Sequence, residues 1–95
     1  MYVVISKWEF DPGNETLVSE KGQWLLSQIR SWDGVELAFN VRTNPGSVIA
    51  VIGYRDPDTR KVLIQAEDSP FEQALAQSGL LEFATWKWTE EGESL

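Results

Sequence analysis

The chemistry open to this chain is bounded first by what it lacks. It contains no histidine and no cysteine. Imidazole as general base or metal ligand, thiolate metal sites, disulfides and cysteine nucleophiles are therefore all excluded. What remains is aromatic and polar. Trp24, Trp32, Tyr54, Trp86 and Trp88 can supply an aromatic wall, and Asn40, Arg42, Tyr54 or Arg55 can supply polar contacts to a bound small molecule. Each also has an ordinary structural use. Tryptophans are core and interface mass, and Asn40 and Arg42 lie on the more polar face of their segment, where a solvated or subunit-bridging role suits them. Asp56, Asp58 and Asp68 fall in loops at a spacing that matches no calcium loop, so no metal site is expected.

The elements that must position these side chains follow from the patterning. Tyr2 to Phe10 reads as a strand whose first half is apolar on both faces, which suggests a central place in a sheet. Asp11-Pro12-Gly13-Asn14 is a loop, and a helix is expected from about Glu15 or Thr16 to Trp32, capped by Asn14 or Thr16. Its buried stripe is Val18, Gly22, Leu25, Ile29 and Trp32, broadened by Trp24 and Leu26. Gly22 sits mid-helix at a cost of about 1 kcal/mol relative to Ala, which fits a close approach to the sheet or to a ligand.

Three strands are then expected in a row. Val35 to Arg42 alternates, with Val35, Leu37, Phe39 and Val41 on one side. Asn44-Pro45-Gly46-Ser47 forms a type II turn. Val48 to Arg55 is apolar on both faces, the mark of a strand covered on both sides. Asp56-Pro57-Asp58-Thr59 reads as a second turn leading to a third strand, Lys61 to Glu67, in which Val62, Ile64 and Ala66 alternate with Leu63 and Gln65. Ser69-Pro70-Phe71-Glu72 is a helix start with a capping hydroxyl, Pro at the first helical position and Glu three residues after the cap. Gly79 stops that helix. A final strand from Leu80 or Leu81 to Thr89 sets Trp86 and Trp88 on one face. Residues 1–89 are expected to form a single domain, and 90–95 an acidic, frayed tail.

This order is an α+β, ferredoxin-like βαββ(β)αβ plan: an antiparallel sheet with two helices on one face and the other face bare. Val48 to Gly53 points apolar side chains in both directions, so the bare face would expose several hundred Å² of apolar surface. Pairing of two sheets in a homodimer removes it. A chain of 95 residues buries about two-thirds of its unfolded surface, and a second subunit adds to the core. The formal charge of −7 repels nucleic acid and anionic membranes. No leader and no apolar run near twenty residues is visible, and the expectation is a cytoplasmic protein.

The N-terminal strand Met-Tyr-Val-Val-Ile-Ser-Lys-Trp, the long helix ending before Asp33-Gly34-Val35-Glu36-Leu37 and the late Trp-rich strand resemble the dimeric α+β barrel superfamily, in particular its antibiotic biosynthesis monooxygenase-like branch. The resemblance covers nearly the whole chain and rests on pattern. It implies a homodimer whose sheets pair face to face, with a small-molecule pocket between sheet and helices. It also implies cofactor-free oxygenation of an aromatic or quinol-like molecule. The haem-degrading branch needs a histidine that this chain lacks, and Ser6 and Lys7 stand where that branch has Asn. Oxygenating an activated phenol without a cofactor requires an apolar aromatic site, hydrogen bonds to the substrate oxygen, help in removing a proton, and exclusion of water. The candidates for ligand binding are Asn40, Arg42, Tyr54, Trp24 and Trp86. The alternative is a non-catalytic module that binds a small molecule or another protein, and an enclosed cavity with Asn40, Arg42 or Tyr54 pointing in would favour the enzyme.

Overall fold

Alternation of apolar side chains in Tyr2–Phe10 gives β1, which the computed structural model, describing residues 1–95, places inside a four-stranded sheet. The strand order is β2-β3-β1-β4, with β2 at Val35–Asn44, β3 at Ser47–Tyr54 and β4 at Ala84–Glu93. All neighbours are antiparallel. The two central strands are the two whose residues are apolar in both directions, as expected of strands with no edge exposed.

Helix α1, Glu15–Arg30, buries Val18, Leu25, Leu26 and Ile29. Asn14 makes no capping bond to it. Instead Asp11 accepts from the Gly13 amide and caps the 3-10 turn Pro12–Asn14 that leads in. At the β2–β3 turn Gly46 has φ +76, and a side chain there would meet the Phe10 carbonyl, so only glycine fits.

The segment after β3 departs from the expectation of a third strand. Pro57–Arg60 is helical (α2) and runs on into a π-helical turn, Lys61–Gln65. The cause is local. Asp56 is extended, its carboxylate accepts from the Thr59 amide at 2.7 Å and the Thr59 hydroxyl at 2.8 Å, and Pro57 fills the first helical position. Val62 is 64% exposed while Leu63 is buried, which shows that the short alternation there was coincidental. The fold is therefore plain βαββαβ in its strands, with a helical linker where the extra strand was expected. Helix α3, Pro70–Ser78, follows from a Ser69 cap that accepts from the Glu72 amide, and Gly79 ends it in the left-handed region.

β4 differs from expectation at both ends. Leu80–Glu82 is a 3-10 turn, and Glu90–Glu93, expected to fray, pairs residue for residue with Ile5 to Tyr2. Glu91 is held there by the Tyr2 hydroxyl and by Arg60 Nη2, both donating at 2.7 Å.

Both long helices pack on one face of the sheet and touch each other. The core between the layers includes Val4, Trp8, Ala38, Ile52 and Tyr54 from the sheet, with Phe71, Ala74 and Leu75 from α3. The other face carries Val3, Ile5, Leu37, Phe39, Val41, Ile49 and Val51 side by side on three strands, with Trp88 on β4 opposite Lys7 and Glu90 opposite Ile5. No helix covers it. Phe39, Val41 and Trp88 are 43%, 44% and 43% exposed.

Candidate functional site

The helix-facing side of β1, β3 and β2 is laid out in cross-strand rows. Trp8, Val48 and Arg42 form one row; Ser6, Ala50 and Asn40 the next; Val4, Ile52 and Ala38 the third. Rows one and three are bulky at their centre and row two is not, because Ala50 is small. Above them runs α1, with Gly22 over row two: a side-chain carbon at Gly22 would sit 3.7 Å from Asn40 Nδ2. A small residue below and none above leave a cleft of about 960 Å³ between α1 and the sheet, closed at its far end by Phe71, Leu80 and Ala84.

The cleft is apolar in its depth and polar at its mouth. Trp8, Val18, Leu25, Ile29, Ile52 and Phe71 line the interior. At the mouth Arg42 Nε donates to Glu15 Oε1 at 2.5 Å, tying β2 to the start of α1. The second arginine of the lining, Arg30, donates through Nε to the Ala38 carbonyl at 2.9 Å. Asn40 is exposed to the cleft and uses its carboxamide on no other protein group. Deep inside, Trp8 Nε1 donates to Ser6 Oγ at 2.9 Å, in a buried pair.

Of the five side chains singled out from sequence, the structure brings two into this cleft, Asn40 and Arg42. Tyr54 shares their sheet face but lies beyond the third row, fully buried, with a hydroxyl that meets no hydrogen-bond partner. Burial raises its pKa far above the ordinary phenol value, and nearby Arg60 only partly offsets this. It is neither a proton acceptor nor reachable by a ligand. Trp24 is on the outward side of α1 and Trp86 behind the cleft wall, neither of them lining it. Trp86 stacks on Trp8 with centroids 5.2 Å apart and meets Phe71 edge-on at 6.1 Å, so it holds two lining residues in place. A register shift at Lys7/Trp8 pairs Trp86 with Trp8 and Trp88 with Lys7, which sends the two tryptophans to opposite faces.

Ser6, Trp8, Phe10 and Phe71 are among the lining residues that sequence reasoning passed over. One signal for them was available: Ser6 is the only aliphatic hydroxyl in the largely apolar first half of a central strand.

No protein-family model matches the chain, and no curated protein matches it by sequence. Solved structures do match. A structure of an antibiotic biosynthesis monooxygenase is similar over 100% of this chain and 99% of its own, with a TM-score of 0.76 at 13% identity. A Mycobacterium tuberculosis protein is similar over 99% of this chain and 94% of its own, with a TM-score of 0.74 at 16% identity. A conserved protein from Methanosarcina mazei Go1 is similar over 96% and 87%, with a TM-score of 0.73 at 16% identity. The chain thus has the ferredoxin-like α+β fold found in antibiotic biosynthesis monooxygenase-like structures.

Proposed function

We propose that the protein binds an aromatic or quinol-like small molecule between α1 and the sheet and oxygenates it without a cofactor, as a homodimer paired through the uncovered sheet face. The observation that carries this is the cleft itself: about 960 Å³, apolar inside, with an uncommitted carboxamide at Asn40. Drug-sized ligands occupy cavities of roughly 300–1,000 Å³ with few placed polar groups. In the reaction an electron-rich ring reduces O₂; one oxygen atom becomes a ring carbonyl and the other leaves as water, with all four electrons drawn from the substrate. The name of a structural neighbour, an antibiotic biosynthesis monooxygenase, supports the same class of chemistry.

One observation favours the second reading, a non-catalytic binding module. The carboxylate of Glu15 is committed to Arg42, and Tyr54 lies outside the cleft. The test is incubation of the purified protein with anthrone-type and quinol substrates under oxygen, following O₂ uptake and product mass. Turnover that falls on Asn40→Ala establishes the enzyme. Binding without turnover across the panel establishes the module, and no binding at all sinks both.

A further inference from the structure

The cleft's middle row sets two polar side chains, Ser6 and Asn40, on the sheet face. Trp8 Nε1 donates to Ser6 Oγ at 2.9 Å, and no acceptor in the protein takes the Ser6 hydroxyl proton. Ser6 is 8% exposed, and a hydroxyl donor without a partner is costly at such burial. The incoming indole bond also polarises the hydroxyl, which strengthens it as a donor. Across the row, on the other side of Ala50, stands Asn40 with its free carboxamide. Two strand spacings separate Ser6 and Asn40, about 10 Å. That backbone span is on the scale of one six-membered ring with an oxygen and a hydrogen bond at each end.

Charge decides a second property. Both arginines of the lining are already engaged, Arg42 by Glu15 and Arg30 by the Ala38 carbonyl. Against these two positive charges the lining sets Glu15 and Glu20, so it offers no net positive charge to hold a carboxylate or phosphate, and the chain as a whole carries −7.

We propose that Ser6 and Asn40, facing each other over Ala50, are the two ends of a hydrogen-bond clamp for a neutral, ring-sized molecule bearing an oxygen on each side. Ser6 is the deep anchor and Asn40 the anchor at the mouth. The clamp rests on the reading of the cleft as a ligand site, and it makes no demand on whether chemistry follows.

The test is anaerobic titration with naphthalene-1,4-diol, 1-naphthol, naphthalene and 1,4-dihydroxy-2-naphthoate, observed at the Trp8 indole N–H by NMR. The expected ranking puts the diol about tenfold above 1-naphthol, the scale of one buried hydrogen bond, and the carboxylate below the diol. Ser6→Ala and Asn40→Leu should each collapse the gap between diol and 1-naphthol. Asn40→Leu changes an exposed position and leaves the Trp8–Ser6 bond intact, so it decides the matter even if Ser6→Ala does not fold. A diol preference that survives Asn40→Leu, or tighter binding of the carboxylate, overturns the clamp while leaving the cleft as a ligand site. Absence of any shift at Trp8 with all four compounds removes the clamp and the ligand site together.

Discussion

At the scale of single residues, position along a strand matters as much as the face a side chain points to. Period-two alternation correctly put Tyr54 on the same face as Ala50 and Ile52, but it carries no information about which cross-strand row lies under a small residue and which under packed helices. Row two is open because Ala50 and Gly22 coincide there, and that coincidence joins residues far apart in the chain. Tyr54, one row beyond the cleft, is packed on every side with its hydroxyl unpaired. Tyr54→Phe should therefore leave ligand binding unchanged and keep or raise stability, by up to about 1 kcal/mol, because it removes a buried polar group that has no partner. Urea unfolding checks the second part, and a loss of stability would show that the hydroxyl is bonded after all. Gly22→Ala should separate the two properties. The nearest atom to the new methyl is Asn40 Nδ2 at 3.7 Å, an ordinary contact, so the helix gains about 1 kcal/mol of propensity. The methyl nevertheless fills the cleft over row two, and affinity for a ring compound should fall several-fold. Unchanged affinity alongside the added stability would mean that ligands bind elsewhere.

At the scale of elements, what the sequence made legible were those whose caps and period agree. The α3 start at Ser69-Pro70, its Gly79 stop, the Gly46 turn and three of the four strands were readable because each had two concordant local signals. Two features were not. From Asp56 to Gln65 the cap signal of Asp-Pro competed with a short apolar alternation. The cap prevails physically because the Asp56 carboxylate satisfies the Thr59 amide and hydroxyl at once, whereas an added strand would need a sheet edge to pair with. In β4, the bulge that parts Trp86 from Trp88 leaves no trace in a one-dimensional pattern. The Asp56 cap has a pH signature. The Thr59 hydrogen bonds, amide first, hold its carboxyl below the usual aspartate range. With the folded pKa depressed, the stability from this cap is fully present above the unfolded value of about 3.9 and is lost as pH falls through the lower folded pKa. Wild type should thus exceed Asp56→Ala in stability at pH 6, and the gap should narrow as the pH drops below about 4. A gap that stayed constant down to pH 2 would remove the ionised cap as its source.

At the scale of the whole molecule, the two sheet faces solve different problems. The helix-facing side is polar along β2, at Asn40 and Arg42, because the cleft opens there. The opposite side is apolar along β2, at Leu37, Phe39 and Val41, with no helix to cover it. A strand sequence that turns its oily side away from its own helices is explicable if another sheet receives that side. Phe39 and Val41 on one edge strand adjoin Ile5, Ile49 and Val51, and Trp88 on the other edge stands beyond Lys7. An exposed apolar face on a sheet with no helix over it is the kind of surface that marks a protein–protein interaction site. The expected state is therefore a dimer, and Phe39→Asp should dissociate it. Phe39 is 43% exposed within one subunit, so the change leaves the fold of each copy intact while placing a charge on the pairing surface. A cost of about 3 kcal/mol, or a factor of roughly 100 in dissociation constant, is the scale of losing one aromatic anchor. Salt supplies an independent sign. Each copy carries −7, so the two repel at long range, and screening should tighten the dimer as ionic strength rises from about 0.01 M, where the Debye length is roughly 30 Å, to 0.15 M, where it is about 8 Å. Sedimentation equilibrium measures both effects. A single-subunit mass for the wild type at micromolar concentration, in either salt, would leave the oily face of β2 without its receiver and take the paired-sheet arrangement with it.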